Sequence, residues 1–591
     1  MSQFFKYTLA TILGIVLSIV FLTAMFILFV YLASRNENPE IDPNSVLKLQ
    51  FDYDIPDRTK SEGFNFDPAT FEAKTTLGVN DILDNIEKAK NDDHIKGIFL
   101  NVSNLTTGMA LTDEIRDKLA EFKKSGKFVV AYAELMTQKA YYLASVADQI
   151  YLNPRGLALL KGYSSELTFF KGTLDQLGVE PEIFYAGNFK SATEPLRYTK
   201  MSDYNRLQIR ELLNGFQEDY VQKVAEARGI TPAELTAIMN DLKIQKAEDA
   251  KQHKMVDDVL YLDQVEALLR EKLGLDAKEG INYVSLSKYH KAPNPAKKDF
   301  HKDKVAVLYA EGDIVDGKTG EGSIASEDYI AAIRDIADDE NVKAVVLRIN
   351  SGGGSALASD VILRELDVLK QKNIPIIASM GDVAASGGYY IAAHADTIVA
   401  RDNTVTGSIG VFGITAELDN FYKNKLGFTF DTVKTTAHSD FPVSPLLNRD
   451  FTDVEKAVMQ NGVNEIYETF LNIVAKGRNM TRDQVHEVAQ GRVWRGETAR
   501  QIGLVDVQGG IQDAIALAAK AAGLNENEYR TADFPKQEDR WTKLIGEITG
   551  QTRQSWIEQE LGDQYVYYKQ LRSLMNLKGI QMRMPFELQV D

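Results

Sequence analysis

The sequence predicts an α/β fold made of two duplicated domains, each built on a buried parallel sheet. Apolar strands at 95–103 and 127–134 are separated by a helical stretch, and the same pattern returns at 342–350 and 374–382. Strands that are apolar throughout are typical of a parallel sheet covered on both faces, with helices as the connections. A chain of 591 residues is long enough for several such domains.

An internal repeat predicts the duplication. The segment KAYYLASVADQIYL begins at Lys139, and the related segment GGYYIAAHADTIVA begins 248 residues later. Ala250 also has a counterpart, 249 residues further along the chain. A nearly constant offset over more than 100 residues indicates a tandem repeat, which we place at 45–285 and 300–525.

Three other segments surround the two halves. The charged, proline-containing residues 288–304 form the predicted linker between them. Residues 526–591 are polar, and their apolar residues at helical spacing predict an amphipathic tail: Trp541, Leu544, Ile545 and Ile548.

The third segment is a charge-free run of 28 residues at 7–34. About 20 apolar residues span a bilayer, whereas the apolar core of a cleaved signal peptide usually has about 7–15. We therefore predict one uncleaved transmembrane helix in contact with membrane lipid. Lys6 before the run and acidic residues after it favour an extracytoplasmic location for the rest of the chain.

Composition excludes several classes of function. The net charge of -17 disfavours a nucleic-acid partner. The absence of cysteine excludes disulfides, thiolate metal sites and a cysteine nucleophile. The seven histidines form no HExxH motif, and there is no GxxxxGK[ST] loop. A zinc enzyme and a P-loop ATPase are thus not expected, and we predict no metal and no cofactor.

The two halves differ first in a glycine-rich loop. The second half has INSGGGSALASD at 349–360, where the first half has VSNLTTGMALTD. Glycines between a parallel strand and a helix allow backbone N–H groups to face an anion. A plain turn explains the loop equally well, whereas a dinucleotide site fits it poorly because the GxGxxG spacing is absent.

The halves differ also in a serine and a lysine. Ser386 in GDVAASGGYY has small neighbours, which expose its hydroxyl and the Gly387 N–H, and Gln138 is its counterpart in the first half. Lys190 in YAGNFKSATEP has Ser439 near the equivalent position of the second half. Each feature alone fits an ordinary packing or surface residue. A Ser–Lys dyad built across the two halves explains all the differences together.

These motifs resemble the signal peptide peptidase A family, in its long bacterial form with tandem domains and an N-terminal anchor. The resemblance is carried by AASGGYY, TGSIGVFG, NFKSATEP and GRVWRGETARQIGLVD and extends from the anchor to about residue 525. It implies the ββα-spiral fold of crotonases and Clp proteases. The usual NSPGG motif is altered here, since Gly352 replaces its proline.

The resemblance also implies roles for individual residues. Ser386 would be the nucleophile, Lys190 the general base, and Ser408 of TGSIG the partner that holds the lysine amine. As oxyanion donors we expect Gly353 and Gly387, and the third candidate is Gly354. The lysine would need a pKa of about 7–8 instead of about 10.4, which desolvation can provide.

The function implied is a membrane-anchored serine endopeptidase that degrades remnant signal peptides and other apolar peptides. It would act at the extracytoplasmic (periplasmic) face of the bacterial inner membrane, as a homo-oligomer expected to be a tetramer. We expect the dyad to form within one chain, with a dyad between neighbouring chains as the alternative.

Other assignments stay open at this point. Ser408 has small neighbours too and is an alternative nucleophile. His394 or His438 would be the base in a serine–histidine pair. A crotonase-like acyl-CoA enzyme would share the fold but would need a carboxylate pair, for which we see no candidate. An inactive membrane scaffold that binds peptides is the alternative outside the enzymes.

Overall fold

The computed structural model describes most of the chain, in the following ranges: 2–33, 39–51, 53–60, 76–294, 301–319, 322–441, 446–525, 528–537 and 579–584. The chain begins with helix α1 (Ser2–Ala33), which contains the predicted anchor except for Ser34, a residue outside the described ranges. Among the helices of these ranges, none has the length and apolarity needed to cross a membrane.

The first half alternates strands and helices. Its strands in chain order are β1 (Ser45–Leu49), β2 (Ile95–Asn101), β3 (Phe128–Met136), β4 (Gln149–Ala158), β5 (Glu180–Ala186), β6 (Asp258–Val259) and β7 (Tyr283–Ser285). Its helices are α2 (Val79–Asn91), α3 (Met109–Lys123), α4 (Gln138–Ala144), α5 (Lys171–Leu177), α6 (Glu194–Arg197), α7 (Asp203–Arg228), α8 (Pro232–Asn240), α9 (Ala247–Gln252), α10 (Leu262–Leu273) and α11 (Leu286–Lys291).

The second half repeats this alternation with more strands. They are β8 (Lys304–Glu311), β9 (Asp313–Val315), β10 (Ser323–Ala325), β11 (Val342–Ser351), β12 (Gly353–Ser355), β13 (Ile376–Ala385), β14 (Thr397–Ala400), β15 (Val405–Gly407), β16 (Val411–Glu417), β17 (Leu446–Leu447), β18 (Val493–Arg495), β19 (Val507–Gln508), β20 (Arg530–Phe534) and β21 (Ile580–Arg583). The helices are α12 (Ser326–Asp338), α13 (Ala356–Gln371), α14 (Gly387–Ala392), α15 (Asp453–Arg478), α16 (Arg482–Val488), α17 (Gly496–Gln501) and α18 (Ile511–Ala521).

Each half has its own sheet, and the two sheets are related. The first has the order β6-β4-β3-β2-β1-β7, and all its described pairings are parallel. The second has the order β18-β15-β13-β11-β8-β20, with β14 on β13 and an antiparallel pairing only between β15 and β18 among the described strands. The central strands β2, β11 and β13 are almost wholly buried. The predicted α/β class is confirmed.

A third sheet joins the halves. Its order is β10-β9-β12-β21-β16-β17, and β5 of the first half pairs antiparallel with β16. The register runs from Ala186 opposite Val411 to Glu180 opposite Glu417. This long pairing fixes the loop after β5 beside the loop that precedes β16.

Buried charges also join the halves. Arg348 on β11 is fully buried and donates hydrogen bonds to Asp57 and, at 2.8 Å, to Glu114 Oε1 on α3. These carboxylates raise the pKa of the guanidinium beyond its ordinary value, against the desolvation that lowers it. Breaking a buried pair costs far more free energy of unfolding than a surface pair, so the halves are held in one relative position.

The structure differs from the predictions made for the C-terminal tail and for the linker. Part of the predicted amphipathic tail forms sheet: β20 pairs parallel with β8, and β21 lies inside the third sheet. Buried Phe534 explains the first pairing, since it packs in the core of the second half. The four apolar residues at helical spacing that we predicted there lie outside the described residues. The linker begins later than predicted, because α11 continues to Lys291 and buries Tyr289.

Candidate active site

Ser386 lies at a sharp turn between a strand and a helix. Strand β13 ends at Ala385 and helix α14 begins at Gly387. The serine has φ 55° and ψ -115°, a conformation that costs a residue with a side chain roughly 1–3 kcal/mol. Its backbone N–H donates to Gly407 O at 2.8 Å, which holds the turn against β15. The small residues of AASGG are thus required because the backbone reverses in a fully buried place.

Lys190 reaches the same place from the first half. It follows β5 and starts a short 3-10 turn over Ser191–Thr193. Phe189 N–H donates to Gln490 O at 2.9 Å, so the lysine loop is attached to the second half. Gln208 on α7 supports the loop by donating to Phe189 O at 3.2 Å and to Ser191 Oγ at 3.0 Å.

The lysine amine meets both candidate serines. Lys190 Nζ is 2.8 Å from Ser386 Oγ, 3.0 Å from Ser408 Oγ and 3.1 Å from Ser408 O. The neutral amine has two N–H donors and one lone pair. When the amine is neutral and its two donors are used by Ser408, its lone pair is left to accept a hydrogen bond from the Ser386 hydroxyl. This geometry is that of a base facing a hydroxyl.

Burial lowers the pKa of this lysine. Its side chain is only 1% exposed, and desolvation holds the pKa of the ammonium well below its ordinary value. A charged group without a paired opposite charge is disfavoured in such a place, so the neutral form is favoured. A neutral amine is what proton abstraction requires.

The predicted glycines lie together beside Ser386. An ideal Cβ on Gly387 would stand 3.2 Å from both Gly353 Cα and Gly354 N. Gly353 has φ +97°, and its N–H donates to Ser351 Oγ at 3.1 Å. The expected use of the Gly353 amide as an oxyanion donor therefore conflicts with a bond it already makes. Gly387 begins α14, and the first N–H groups of a helix have no partner within that helix.

Sequence reasoning missed the residues that make room for the lysine. An ideal Cβ on Gly491 would be 2.7 Å from Lys190 Cβ, and one on Gly410 would be 3.2 Å from Lys190 Cδ. Gly491 N–H donates to Ile409 O at 2.8 Å, so it also fixes the strand after Ser408. Gly491 is the first residue of the quoted motif GRVWRGETARQIGLVD, and that motif was the available signal.

The histidine alternatives are placed elsewhere. His394 Nδ1 is 2.9 Å from Asp367 Oδ1, and His438 Nδ1 is 3.1 Å from Glu455 Oε1. Among the hydrogen bonds of the described residues, Ser386 Oγ is bonded to Lys190 and to neither histidine, so a serine–histidine pair with Ser386 is not what the fold assembles. Within the described ranges, no three His, Asp or Glu side chains are grouped to hold a metal ion.

Comparison with known proteins identifies the family of the chain. The family model described as Peptidase family S49 matches residues 121–276 and 368–525, one segment in each half. The chain belongs to peptidase family S49. The two matched segments also reproduce the predicted duplication, and the family assigns the chain to the serine peptidases.

Two of the relatives match most of the chain, and a third matches less than half of it. "Protease 4" of Haemophilus influenzae is 34% identical over 490 residues, which are 81% of this chain and 79% of the relative. "Serine protease SPPA, chloroplastic" of Arabidopsis thaliana is 32% identical over 521 residues, 87% of this chain and 73% of the relative. "Putative signal peptide peptidase SppA" of Enterococcus faecium is 35% identical over 253 residues, 42% of this chain and 72% of the relative.

Proposed function

We propose that this S49 peptidase is an endopeptidase in which Ser386 is the nucleophile and Lys190 the general base. The observation that carries the proposal is the 2.8 Å contact between the buried Lys190 amine and Ser386 Oγ. Its neighbour Ser408 contributes two acceptors that orient the amine. Both catalytic side chains belong to one chain, which favours the dyad within a chain over the dyad between neighbours.

The mechanism follows from the positions of these groups. Lys190 takes the Ser386 proton as Oγ bonds to a peptide carbonyl carbon, and the carbonyl electron pair moves onto its oxygen. The Lys190 ammonium then gives the proton to the departing amine as the C–N bond breaks. A water deprotonated by Lys190 attacks the acyl-serine ester, and the proton returns to Ser386 as the acid leaves.

The oxyanion needs backbone donors close to Ser386. We assign this role to the Gly387 amide, with Gly354 as the second donor. The support is that the Gly353 amide is bonded to Ser351, whereas Gly354 N lies beside Gly387. Donors fixed before the reaction stabilise the developing charge at no reorganisation cost.

The substrates that we propose are remnant signal peptides and other apolar peptides. The support is that the Enterococcus faecium relative is named a putative signal peptide peptidase, together with the charge-free run at 7–34 of this chain. We propose that this run anchors the chain in the bacterial inner membrane, with the site on the periplasmic side. Removal of residues 1–38 should move the protein from the membrane fraction to the soluble fraction, and unchanged fractionation would reject the anchor.

A homo-oligomer, expected as a tetramer, is also part of the proposal. Its support is the family resemblance of the sequence motifs. Light scattering of the purified protein would give the number of chains, and a monomer that retains full peptidase activity would reject this part.

The dyad is tested by substitution and covalent labelling. Ser386→Ala should abolish peptide hydrolysis and labelling by a serine-reactive probe, while exposed Ser439→Ala, the matched control, should change neither. Circular dichroism should show both variants folded. Labelling that persists in Ser386→Ala but disappears in Ser408→Ala would transfer the nucleophile to Ser408. A wild-type protein that binds peptides without labelling or hydrolysis would favour the inactive scaffold.

A further inference from the structure

Residues 489–492, between helix α16 and strand β18, contact both loops that carry the dyad. On one side, Phe189 N–H of the lysine loop donates to Gln490 O at 2.9 Å. On the other side, Ser408 N–H donates to Arg492 O at 2.7 Å. Arg492 belongs to the motif GRVWRGETARQIGLVD, whose side chains take no part in the proposed chemistry. Its carbonyl nevertheless fixes the backbone of the serine that orients the lysine amine.

The side chain of Arg492 lies over two aromatic rings. Its Cζ atom is 4.0 Å from the centre of the Trp494 ring and 4.9 Å from the centre of the Phe189 ring. A guanidinium within about 6 Å of a ring centre is attracted by the negative face of the ring, and its planar shape allows it to stack there. Trp494 is itself fixed, because its Nε1–H donates to Val488 O at 2.9 Å.

Each of the two rings lies beside one member of the dyad. Phe189 directly precedes Lys190 in sequence. Trp494 packs on Gly407, since an ideal Cβ on that glycine would be 2.9 Å from Trp494 Cδ1. The Gly407 carbonyl accepts a hydrogen bond from the Ser386 N–H at 2.8 Å. The guanidinium therefore joins the loop of the base to the loop of the nucleophile.

Stacking, more than hydrogen bonding, holds this guanidinium. Nη2 of Arg492 pairs with Glu211 on α7, and Nε is buried without a hydrogen-bond partner among the described residues. The Glu211 side chain is 49% exposed, and ion pairs of exposed groups contribute little free energy. The contact that matters for the position of the lysine loop is thus the one between the guanidinium and Phe189.

We propose that Arg492 is a positioning residue, which holds Lys190 at hydrogen-bond distance from Ser386. It acts through Phe189, the residue next to the lysine. The inference rests on the proposed function, since it takes Lys190 as the general base. A purely structural Arg492 would hold the two halves together and stabilise the fold, but its loss would leave the surroundings of the amine unchanged.

Loss of the stack should change both the rate and its dependence on pH. Lys190 is 1% exposed, and desolvation holds its pKa well below the ordinary value. A lysine loop that moves away from the second half admits water, so the pKa rises toward about 10.4 and the rate increases only at higher pH. A displacement of about 1 Å costs roughly 100-fold in rate. Because the bond from Phe189 N to Gln490 O remains, we expect kcat to fall by about 10- to 100-fold.

The first experiment compares Arg492→Met with the matched control Arg482→Met in the full chain. Arg482 pairs with Glu468 on the surface of the same half. We expect kcat of Arg492→Met to fall as stated, KM to change little, and the rising limb of kcat/KM against pH to move upward by about one pH unit. The control should alter none of these quantities. A folded Arg492→Met protein whose rising limb stays in place would overturn the proposal, and a lower melting temperature with that result would assign Arg492 a structural role.

Two further variants separate the stack from the charge. Arg492→Lys keeps the positive charge but lacks the planar group, so it should lose as much activity as Arg492→Met. Glu211→Gln removes the ion pair and keeps the stack, and its kcat should stay within about twofold of the wild type. Full activity of Arg492→Lys would overturn the proposal, since the charge alone would then suffice.

The last experiment approaches the contact from its other side. Phe189→Leu removes the ring and should lower kcat and move the rising limb as Arg492→Met does, and the double variant should lose no more than either single variant. Additive losses would overturn the inference. If Arg492→Met does not fold, Phe189→Leu decides alone, and an unchanged rate and pH profile would reject the inference. A wild type whose rate is flat between about pH 6 and pH 10 would instead reject the lysine base, and with it both the proposed function and the inference.

Discussion

Gly491 and Lys190 approach each other more closely than any residue with a side chain would allow. A Cβ on Gly491 would lie 2.7 Å from both Lys190 Cβ and Lys190 N, and Gly491 has φ +80°. The two residues come from different halves of the chain. The glycine of the second half thus sets how far the lysine of the first half can advance toward Ser386.

Gly491→Ala is therefore expected to displace the lysine. A misplacement of about 1 Å at a catalytic group costs roughly 100-fold in rate, and we expect kcat to fall by at least that factor. The matched control is Gly503→Ala, because Gly503 has a similar φ of +83° but only Met480 Sδ, at 3.9 Å, near its Cβ position. Peptide hydrolysis and thermal unfolding are measured for both. Equal losses of activity would mean that backbone strain, and not displacement of Lys190, is responsible.

Lys190→Met separates catalysis from stability. The substitution keeps the length of the side chain and removes an amine whose burial disfavours its charge. We expect hydrolysis to fall by roughly 100- to 10,000-fold, the usual contribution of a general base, while the melting temperature rises. Exposed Lys200→Met is the control and should alter neither quantity. A melting temperature that falls in Lys190→Met would show that the amine stabilises the fold.

The activity should depend on pH through the same lysine. Because the base has to be neutral, kcat/KM should increase with pH and level off above the pKa of Lys190 in the folded protein, which burial holds well below about 10.4. The free energy of unfolding should depend on pH with the same sign. Between the folded and the unfolded pKa, the unfolded chain binds more protons, so the free energy of unfolding rises with pH. The Lys190→Met variant should lack this contribution, and a flat rate profile from pH 6 to 10 would contradict a lysine base.

Asp382 should contribute to the free energy of unfolding a pH dependence of the opposite sign. This residue of β13 accepts hydrogen bonds from Gly108 N and Leu111 N, both at 3.0 Å, at the start of α3 in the first half. Burial, with a smaller effect of nearby Asp57, raises the pKa of Asp382 to about 7 from 3.8. The folded state then binds more protons than the unfolded chain between about pH 4 and pH 7. Its free energy of unfolding should fall as the pH rises through that range.

Urea unfolding at pH 5 and pH 8 tests this point. We expect the wild type to lose more stability between the two pH values than Asp382→Asn, which cannot titrate. Asp338→Asn serves as the control, since its side chain is 82% exposed. The same pH dependence in wild type and Asp382→Asn would show that other groups determine it.

Sequence reasoning found the elements whose signal is local. The continuous apolar strands predicted the parallel sheets. Ser386 and Lys190 are each present in only one half, and this difference predicted a pair of side chains that the fold places 2.8 Å apart. The offset of the repeats aligned Ser386 with Gln138, and alignment on the flanking prolines placed Lys190 near Ser439. Such patterns carry no information about distances between loops, so the close approach of Gly491 to Lys190 was not predicted.

Other features had no local signal. Strand β21 has only four residues, too few to show an alternating pattern in the sequence. Its place in the third sheet depends on β12 and β16, which are remote in sequence. The bond from Gly353 N to Ser351 Oγ depends on how the glycine loop turns, and glycine permits several turns. Arg348 stands among apolar residues of a strand, where the sequence alone cannot show which carboxylates neutralise it.

With Ser386 as the proposed nucleophile, Gln138 at the equivalent position of the first half leaves one nucleophile in each chain. It begins α4 as the counterpart of Ser386, is 1% exposed, and its Oε1 accepts hydrogen bonds from Lys161 N at 3.0 Å and Gly162 N at 2.8 Å. The side-chain oxygen of Gln138 accepts hydrogen bonds from backbone N–H groups of the first half, and an amide has no hydroxyl that could act as a nucleophile. An active-site titration with a covalent inhibitor would therefore end at one equivalent per 66.0 kDa chain, which makes the reagent a direct count of functional molecules in a preparation.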